Sequence, residues 1–391
     1  MLRDMKGARD PAMGPQIVFF TGGTALRGVS RALIELTWRS VHLVTPFDSG
    51  GSSAALRKAF GVIAVGDLRN RLLALADPNQ SGFVALASLL NRRLPEQADP
   101  QSLREVLRTI ADGQSAELRW LSDSAAEAVR GDMRQFLAAC PQELNLEKAS
   151  VGNLLLIGAW LRLNRDLYAA LEQWSDLLGA RGHVWPIATT DAHLHFTLDD
   201  GSVVVGQHRV SGKEGDAPNS PIREMKIIRN LEDWTPTQAS IAEPIAKLIR
   251  EADLICFPMG SFYTSVLANL LPDGVVDAIA EARCPKVFVA NTGQDPEQRG
   301  LSVGAAAERL VNFALERSSS HAASDFLDTI VIDSEGGHYP DGIDRPRLDA
   351  TGIRVLDLPL VTERAAPNYD SGRIASLLVG LASSKPKKLS R

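Results

Sequence analysis

Cysteine is nearly missing from this sequence: Cys140, Cys256 and Cys284 are the three in 391 residues. An odd number without metal-ligand spacing supports neither a disulfide framework nor a zinc site, and a reducing cytoplasm is the expected compartment. Cys256, inside the apolar run Leu254-Ile255-Cys256-Phe257, reads as a buried core thiol. Long hydrophobic runs are missing too. The longest, Leu154–Leu161, falls short of the ~20 residues that cross a bilayer, so no membrane partner is expected. Residues 1–15 lack the apolar core of a signal peptide. There is no surplus of positive charge: 42 Lys and Arg stand against 47 Asp and Glu, a formal net charge of −5. Nucleic acid is therefore not an expected partner, although this balance does not exclude one nucleotide in a local basic pocket. The remaining composition, 45% hydrophobic and 23% charged, is that of a globular chain.

Two common nucleotide fingerprints are also missing. Ile17-Val18-Phe19-Phe20 is a continuous apolar run, as a buried parallel strand requires, and it opens into Thr21-Gly22-Gly23-Thr24. No Gly-Lys-Ser/Thr follows, so this is not a Walker A loop. Gly22, Gly23 and Gly28 miss the G-x-G-x-x-G spacing, which argues against an NAD-dependent oxidoreductase. What is present is a glycine loop that lets the backbone approach a phosphate, followed by a helical pattern (Leu26, Val29, Ala32, Leu33, Leu36) whose N-terminus is expected to supply N–H donors. A second strand, Val41–Thr45, completes a β–loop–α–β unit.

The organisation that follows is a flexible leader over 1–15, a single α/β domain over 16–383, and a basic tail over 384–391. Beyond Phe60 the chain reads as helical to about Leu178, and residues 83–180 as a helical insertion. Ser102-Leu103-Arg104-Glu105 matches a capping box and predicts a helix start there. Asp200-Gly201 predicts a two-residue hairpin turn. That register pairs Asp199 with Ser202, and sets His193 opposite His208 and His195 opposite Gly206. Short buried strands recur at Asp253–Phe257, Lys286–Ala290, Asp328–Ile332 and Ile353–Leu356. Helical patterns at Val275–Glu281 and Ala305–Glu316 separate them. The alternation predicts an α/β fold, a doubly wound, mostly parallel sheet of Rossmann type.

Polar loops follow several of these strands. Asp48-Ser49-Gly50-Gly51-Ser52-Ser53 gathers one acid, two glycines and three hydroxyls, with Arg57 and Lys58 within reach of a phosphate. Gly66-Asp67-Leu68-Arg69-Asn70 offers a carboxylate for a metal or sugar, a guanidinium for phosphate and an amide; a plain helix cap at Asp67 explains it equally well. Gly260-Ser261-Phe262-Tyr263-Thr264-Ser265 is another strand opening into small hydroxyl residues. Asn291, Gln294 and Arg299 lie in a fifth loop. The expectation is one shared crevice at the carboxyl edge of the sheet. Asp191, His193 and His195 alternate as a two-His-one-carboxylate set does, but a polar strand face without a metal is the expected reading.

Taken together these motifs resemble the CofD-like family, which includes 2-phospho-L-lactate transferases and YvcK-type gluconeogenesis factors. The resemblance rests on Gly22-Gly23-Thr24-Ala25 for G-G-T-G, Asp48–Ser53 with Leu56-Arg57 for D-x-G-G-S-S…L-R, and Gly66–Asn70 for G-D-[IL]-R-N. It rests also on Ser150-Val151-Gly152-Asn153-Leu154 for S-x-G-N-L and Gly260–Ser265 for G-S-L-Y-T-S. It covers roughly residues 16–76, 147–210 and 250–300, and it adds Asn153 to the candidate residues. Ala25 and Ala149 depart from the pattern. So does Gly293–Gln298, where the family has M-T-Q-x-G-E-T. The Trp-His-Gly and Asp-Leu-Asp-Thr elements of the deazaflavin transferases are missing, which sets the chain nearer the YvcK branch.

The resemblance implies binding of a nucleotide or nucleotide-sugar. In an enzyme of this kind, a phosphate-linked group moves from a nucleotide-activated donor. Asp48 and Asp67 hold Mg2+, Arg69 and Arg299 add positive charge, and the glycine loops supply backbone donors. The alternative is a non-catalytic nucleotide-sugar-binding regulator. A homodimer is left open.

Overall fold

The computed structural model describes residues 10–212, 217–318 and 320–384, the side chain of Ser52 excepted. Seven parallel strands form the main sheet: β1 (Ile17–Thr21), β2 (Ser40–Val44), β3 (His183–Pro186), β7 (Leu254–Phe257), β8 (Lys286–Val289), β9 (Thr329–Ile332) and β10 (Arg354–Asp357). Three more, β4 (His193–Leu198), β5 (Val203–Val205) and β6 (Ile222–Ile228), form a small antiparallel sheet in the order β5-β4-β6. The predicted doubly wound α/β fold is what the chain adopts.

The order of the main sheet is β10-β9-β8-β7-β1-β2-β3. Sequence order runs outward in both directions from the β1–β7 pair, where Ile17 lies beside Leu254 and Phe19 beside Cys256. Loops leaving the carboxyl ends of β1 and β7 are therefore sent to opposite faces, and a crevice opens between them. The central strands are buried on both faces, and side-chain alternation divides them between two cores. Val18 and Phe20 pack with the small sheet and the helices Glu243–Arg250, Val275–Glu281 and Val303–Leu315. Ile17 and Phe19 pack with the helices Arg27–Leu33 and Ser371–Ser383.

Several sequence expectations need correction. Residues 10–15 are not a loose leader: Trp38 N–H donates to the Pro11 carbonyl at 2.9 Å and Thr37 Oγ1 to the Pro15 carbonyl at 2.8 Å. Residues 1–9 and 385–391 lie outside the described residues. The helix expected to start at Ser102 starts at Pro100, because Asp99 caps it by accepting from Ser102 N–H at 2.9 Å. Five helices, from Phe83–Asn91 to Leu167–Leu178, occupy the predicted insertion. The edge strand β3 escaped the reading because His-Val-Trp-Pro ends in a residue that breaks strands.

The hairpin is one residue out of the predicted register. His195 pairs with Val205 and Thr197 with Val203, and Leu198 N–H donates to the Ser202 carbonyl at 2.9 Å. The loop thus has three residues, closed by Gly201 at φ +82°, a conformation that suits glycine. His193 pairs with Ile228 of β6, and His208 lies on a short helix, Gln207–Val210.

Candidate functional site

The strand-end loops on the β1–β7 crevice come together. A Cβ on Gly22 would run into Ser265 Oγ and lie 2.9 Å from the Ser265 Cβ, so a larger residue there forces Ser265 to move. Gly23 faces Asp67, whose carboxylate oxygens lie 3.5 and 3.6 Å from a Cβ built there. Ser53 Oγ lies 3.3 Å, and Asn153 Nδ2 3.7 Å, from the same construction on Gly66. Asn269 ties the walls together, its Nδ2 donating to the Thr21 carbonyl at 3.0 Å and the Ser265 carbonyl at 2.6 Å. Gly22, Gly23, Thr24, Gly260, Ser261 and Ser265 line one recess. Next to it, Ala25, Gly260, Ser261, Asn291 and Gln294 border a cleft of about 510 Å3.

Not every candidate presents its side chain to this crevice. Arg57 is 3% exposed, and its donors are taken by Asp191 at 2.6 Å, the Asp48 carbonyl at 2.9 Å and the Ala192 carbonyl at 2.6 Å. It fixes the Asp48 loop against the small sheet rather than reaching for phosphate. The same ion pair engages Asp191, the acid of the alternating trio; His195 meets Trp234 edge-on instead. Arg69 is buried and donates to Ser150 Oγ, to Asn153 Oδ1 at 2.9 Å and to Asn70 Oδ1 at 2.8 Å, so it braces two helices. Tyr263 and Thr264 point into the core, the Tyr263 hydroxyl donating to the Ile222 carbonyl at 3.0 Å. Arg299 is exposed, donates to Asn219 at 2.6 Å, and borders, with Tyr339 and Asp341, a cavity on the far side of the 291–296 loop from the cleft.

Two buried charge centres went unnoticed in the sequence. The first is Arg71, on the helix Gly66–Leu75. It interrupts the apolar stripe Leu68, Leu72 and Leu75, a pattern that could have exposed it. Burial pulls its guanidinium down to about 10, and Asp67 pushes back, so it stays charged at neutral pH. The second is the pair Asp295 and Glu297. Glu297 Oε2 accepts from the N–H groups of Tyr263 and Thr264 at 2.9 and 2.8 Å, and its Oε1 from Thr264 Oγ1 at 2.6 Å. Asp295 accepts from Phe262 N–H at 3.0 Å. Burial raises both carboxyls above the ordinary range, and at Glu297 the neighbouring Asp295 adds to it. The backbone donors expected on this loop are thus taken by the protein's own carboxylates. Asn291 is likewise engaged, exchanging hydrogen bonds with both backbone groups of Gly260 at 2.7 Å.

The helix after the glycine loop starts at Arg27 and runs for seven residues. The loop's own backbone, rather than that helix, is what faces the crevice. Asp48 and Asp67 are both half-buried, Asp48 accepting from Gly50 N–H at 3.2 Å and Asp67 facing Gly23. Among the described residues no three His, Cys, Asp or Glu gather as a metal cage. Ser49 Oγ and His208 Nδ1 are hydrogen-bonded at 2.8 Å, which fastens the small sheet to the same loop.

A family model described as 2-phospho-L-lactate transferase CofD matches residues 17–361. The gluconeogenesis factor of Bacillus subtilis (strain 168) is 27% identical over 382 residues, covering 94% of this chain and 98% of that protein. A putative gluconeogenesis factor of Nostoc sp. is 29% identical over 353 residues, covering 88% of this chain and 63% of that protein. A crystal structure of a member of the UPF0052 family from Bacillus halodurans shares the fold, with a TM-score of 0.69 over 94% of this chain and 99% of that one at 22% identity. Among the described residues no helix is long and apolar enough to cross a membrane.

Proposed function

The chain belongs to the CofD family, and from that premise we propose that it binds a nucleotide-sugar or related nucleoside diphosphate in the β1–β7 crevice and acts as a metabolic regulator rather than a transferase. The observation that carries this reading is the meeting of Gly22–Thr24, Asp67, Ser261 and Ser265 beside a cleft of about 510 Å3, a size suited to such a ligand. The regulator is favoured by Arg69, whose terminal donors engage Ser150, Asn153 and Asn70 and so cannot follow a leaving group. The relatives named gluconeogenesis factors agree with it.

The second reading is an Mg-dependent transferase of phosphate-linked groups. The position of Asp67 against Gly23 favours it. Asp67 and Asp48 would hold the ion, which would neutralise charge on the diphosphate.

Thermal shift of the full chain with nucleoside diphosphates and nucleotide-sugars, with and without Mg2+, tests the site. The expected result is stabilisation by a nucleotide-sugar that 31P NMR then finds unchanged after long incubation. Conversion of the ligand, with its phosphate-linked group appearing on an acceptor, establishes the transferase instead. No stabilisation by any of these ligands refutes both.

A further inference from the structure

Arg71 lies directly behind the glycine loop and is 1% exposed. One terminal nitrogen donates to Ser30 Oγ at 2.7 Å. The other donates to the Gly22 carbonyl at 3.2 Å, the Gly23 carbonyl at 3.0 Å and Thr21 Oγ1 at 3.1 Å. Its Nε has no partner among the described residues. The Gly22–Gly23 and Gly23–Thr24 peptides are both trans. In a trans peptide the carbonyl and the following N–H point in opposite directions. Drawing the carbonyls of Gly22 and Gly23 down onto Arg71 therefore turns the N–H groups of Gly23 and Thr24 away from it. Neither N–H donates to an acceptor among the described residues. Gly23 is half-buried, Thr24 is exposed, and both border the recess they share with Ser261 and Ser265.

We propose that Arg71 is the positioning residue of an anion subsite in which the N–H groups of Gly23 and Thr24 receive one phosphate of the ligand. Arg71 does not touch that phosphate. It acts through two carbonyls, which fix the direction of the two N–H groups. Asp67, four residues earlier on the same helix, is the acidic group that acts on it, and keeps the unliganded loop from carrying an uncompensated charge. A side chain that grips backbone oxygens needs a fork of donors at fixed angles, which arginine has and lysine lacks. The inference rests on the crevice being a phosphate-binding site and adds which donors bind and what aims them.

The test uses the full chain labelled with [15N]glycine and [15N]threonine, titrated with inorganic pyrophosphate. In the parent the amide signals of Gly23 and Thr24 shift on saturation. Arg71→Lys, which keeps the charge but loses the fork, melts somewhat below the parent yet still folds, as its remaining amide signals show, and binds pyrophosphate about tenfold more weakly. Arg71→Met weakens binding further; if it does not fold, the lysine variant carries the comparison. Pyrophosphate bound to the parent with Gly23 and Thr24 unmoved, or bound equally by Arg71→Lys, overturns the role of Arg71 and leaves the wider reading standing. Failure of the parent to bind pyrophosphate at all removes the phosphate site and this subsite with it.

Discussion

The two loops that face each other across the β1–β7 crevice are supported from behind by buried charges of opposite sign. Behind Gly22–Thr24 lies a guanidinium that grips carbonyl oxygens. Behind Phe262–Thr264 lie two carboxylates that grip N–H groups. The loops look alike in sequence, each a strand opening into glycine and hydroxyl residues. Their supports make them opposites: the first leaves N–H donors for a ligand, and the second spends its donors inside the protein. The two walls of the crevice therefore differ, with N–H donors at Gly23 and Thr24, free among the described residues, on the β1 side and hydroxyl groups, Ser261 and Ser265, on the other.

The comparison can be broken most forcefully from the acidic side. Glu297→Ala leaves the N–H groups of Tyr263 and Thr264 and the Thr264 hydroxyl without their acceptor, and should cost about 2–3 kcal/mol in urea unfolding. A loss under about 0.5 kcal/mol would mean that the carboxylate is not what holds the loop. A smaller effect is expected where the loops touch. Gly22→Ala drives a Cβ onto Ser265 Oγ, for a loss of about 1–2 kcal/mol. Ser265→Gly in the same chain should restore most of it; no recovery would place the clash elsewhere.

The smallest effect is a pH dependence. The fold holds Asp295 and Glu297 protonated to higher pH than the unfolded chain does. Stability from this source is fully present below the ordinary carboxylate range, ~4, and is lost as pH rises towards neutrality. Glu297→Gln keeps an acceptor for the two N–H groups and does not ionise. Unfolding midpoints at pH 5 and pH 8 should therefore fall less in this variant than in the parent. Equal falls would mean that the pair titrates normally.

The main sheet was legible because its central strands are buried on both faces and β1, β7, β8 and β9 carry runs of adjacent apolar residues. The strand-end loops were legible because glycine and hydroxyl clusters stand out after such runs. The supports were not. Asp295 and Glu297 look like ordinary surface charges in the sequence, Arg71 shows only as a break in an apolar stripe, and their partners lie 33 to 50 residues away. Arg57 and Arg69 misled for the converse reason: an arginine beside a glycine loop reads as a phosphate ligand until burial shows what it holds. The hairpin register slipped because Asp199 stayed in the loop. Asp-Gly announces a turn but does not fix its length.

Backbone donors are open on one wall of the crevice and spent on the other. Amide hydrogen exchange of the full chain, with and without a nucleotide-sugar that stabilises it, reads both walls at once. The predicted result is strong new protection at Gly23 and Thr24, with little change at Phe262–Thr264, whose N–H groups already have acceptors. Protection that leaves Gly23 and Thr24 untouched, or that gathers instead around Arg299 and Tyr339, would contradict it.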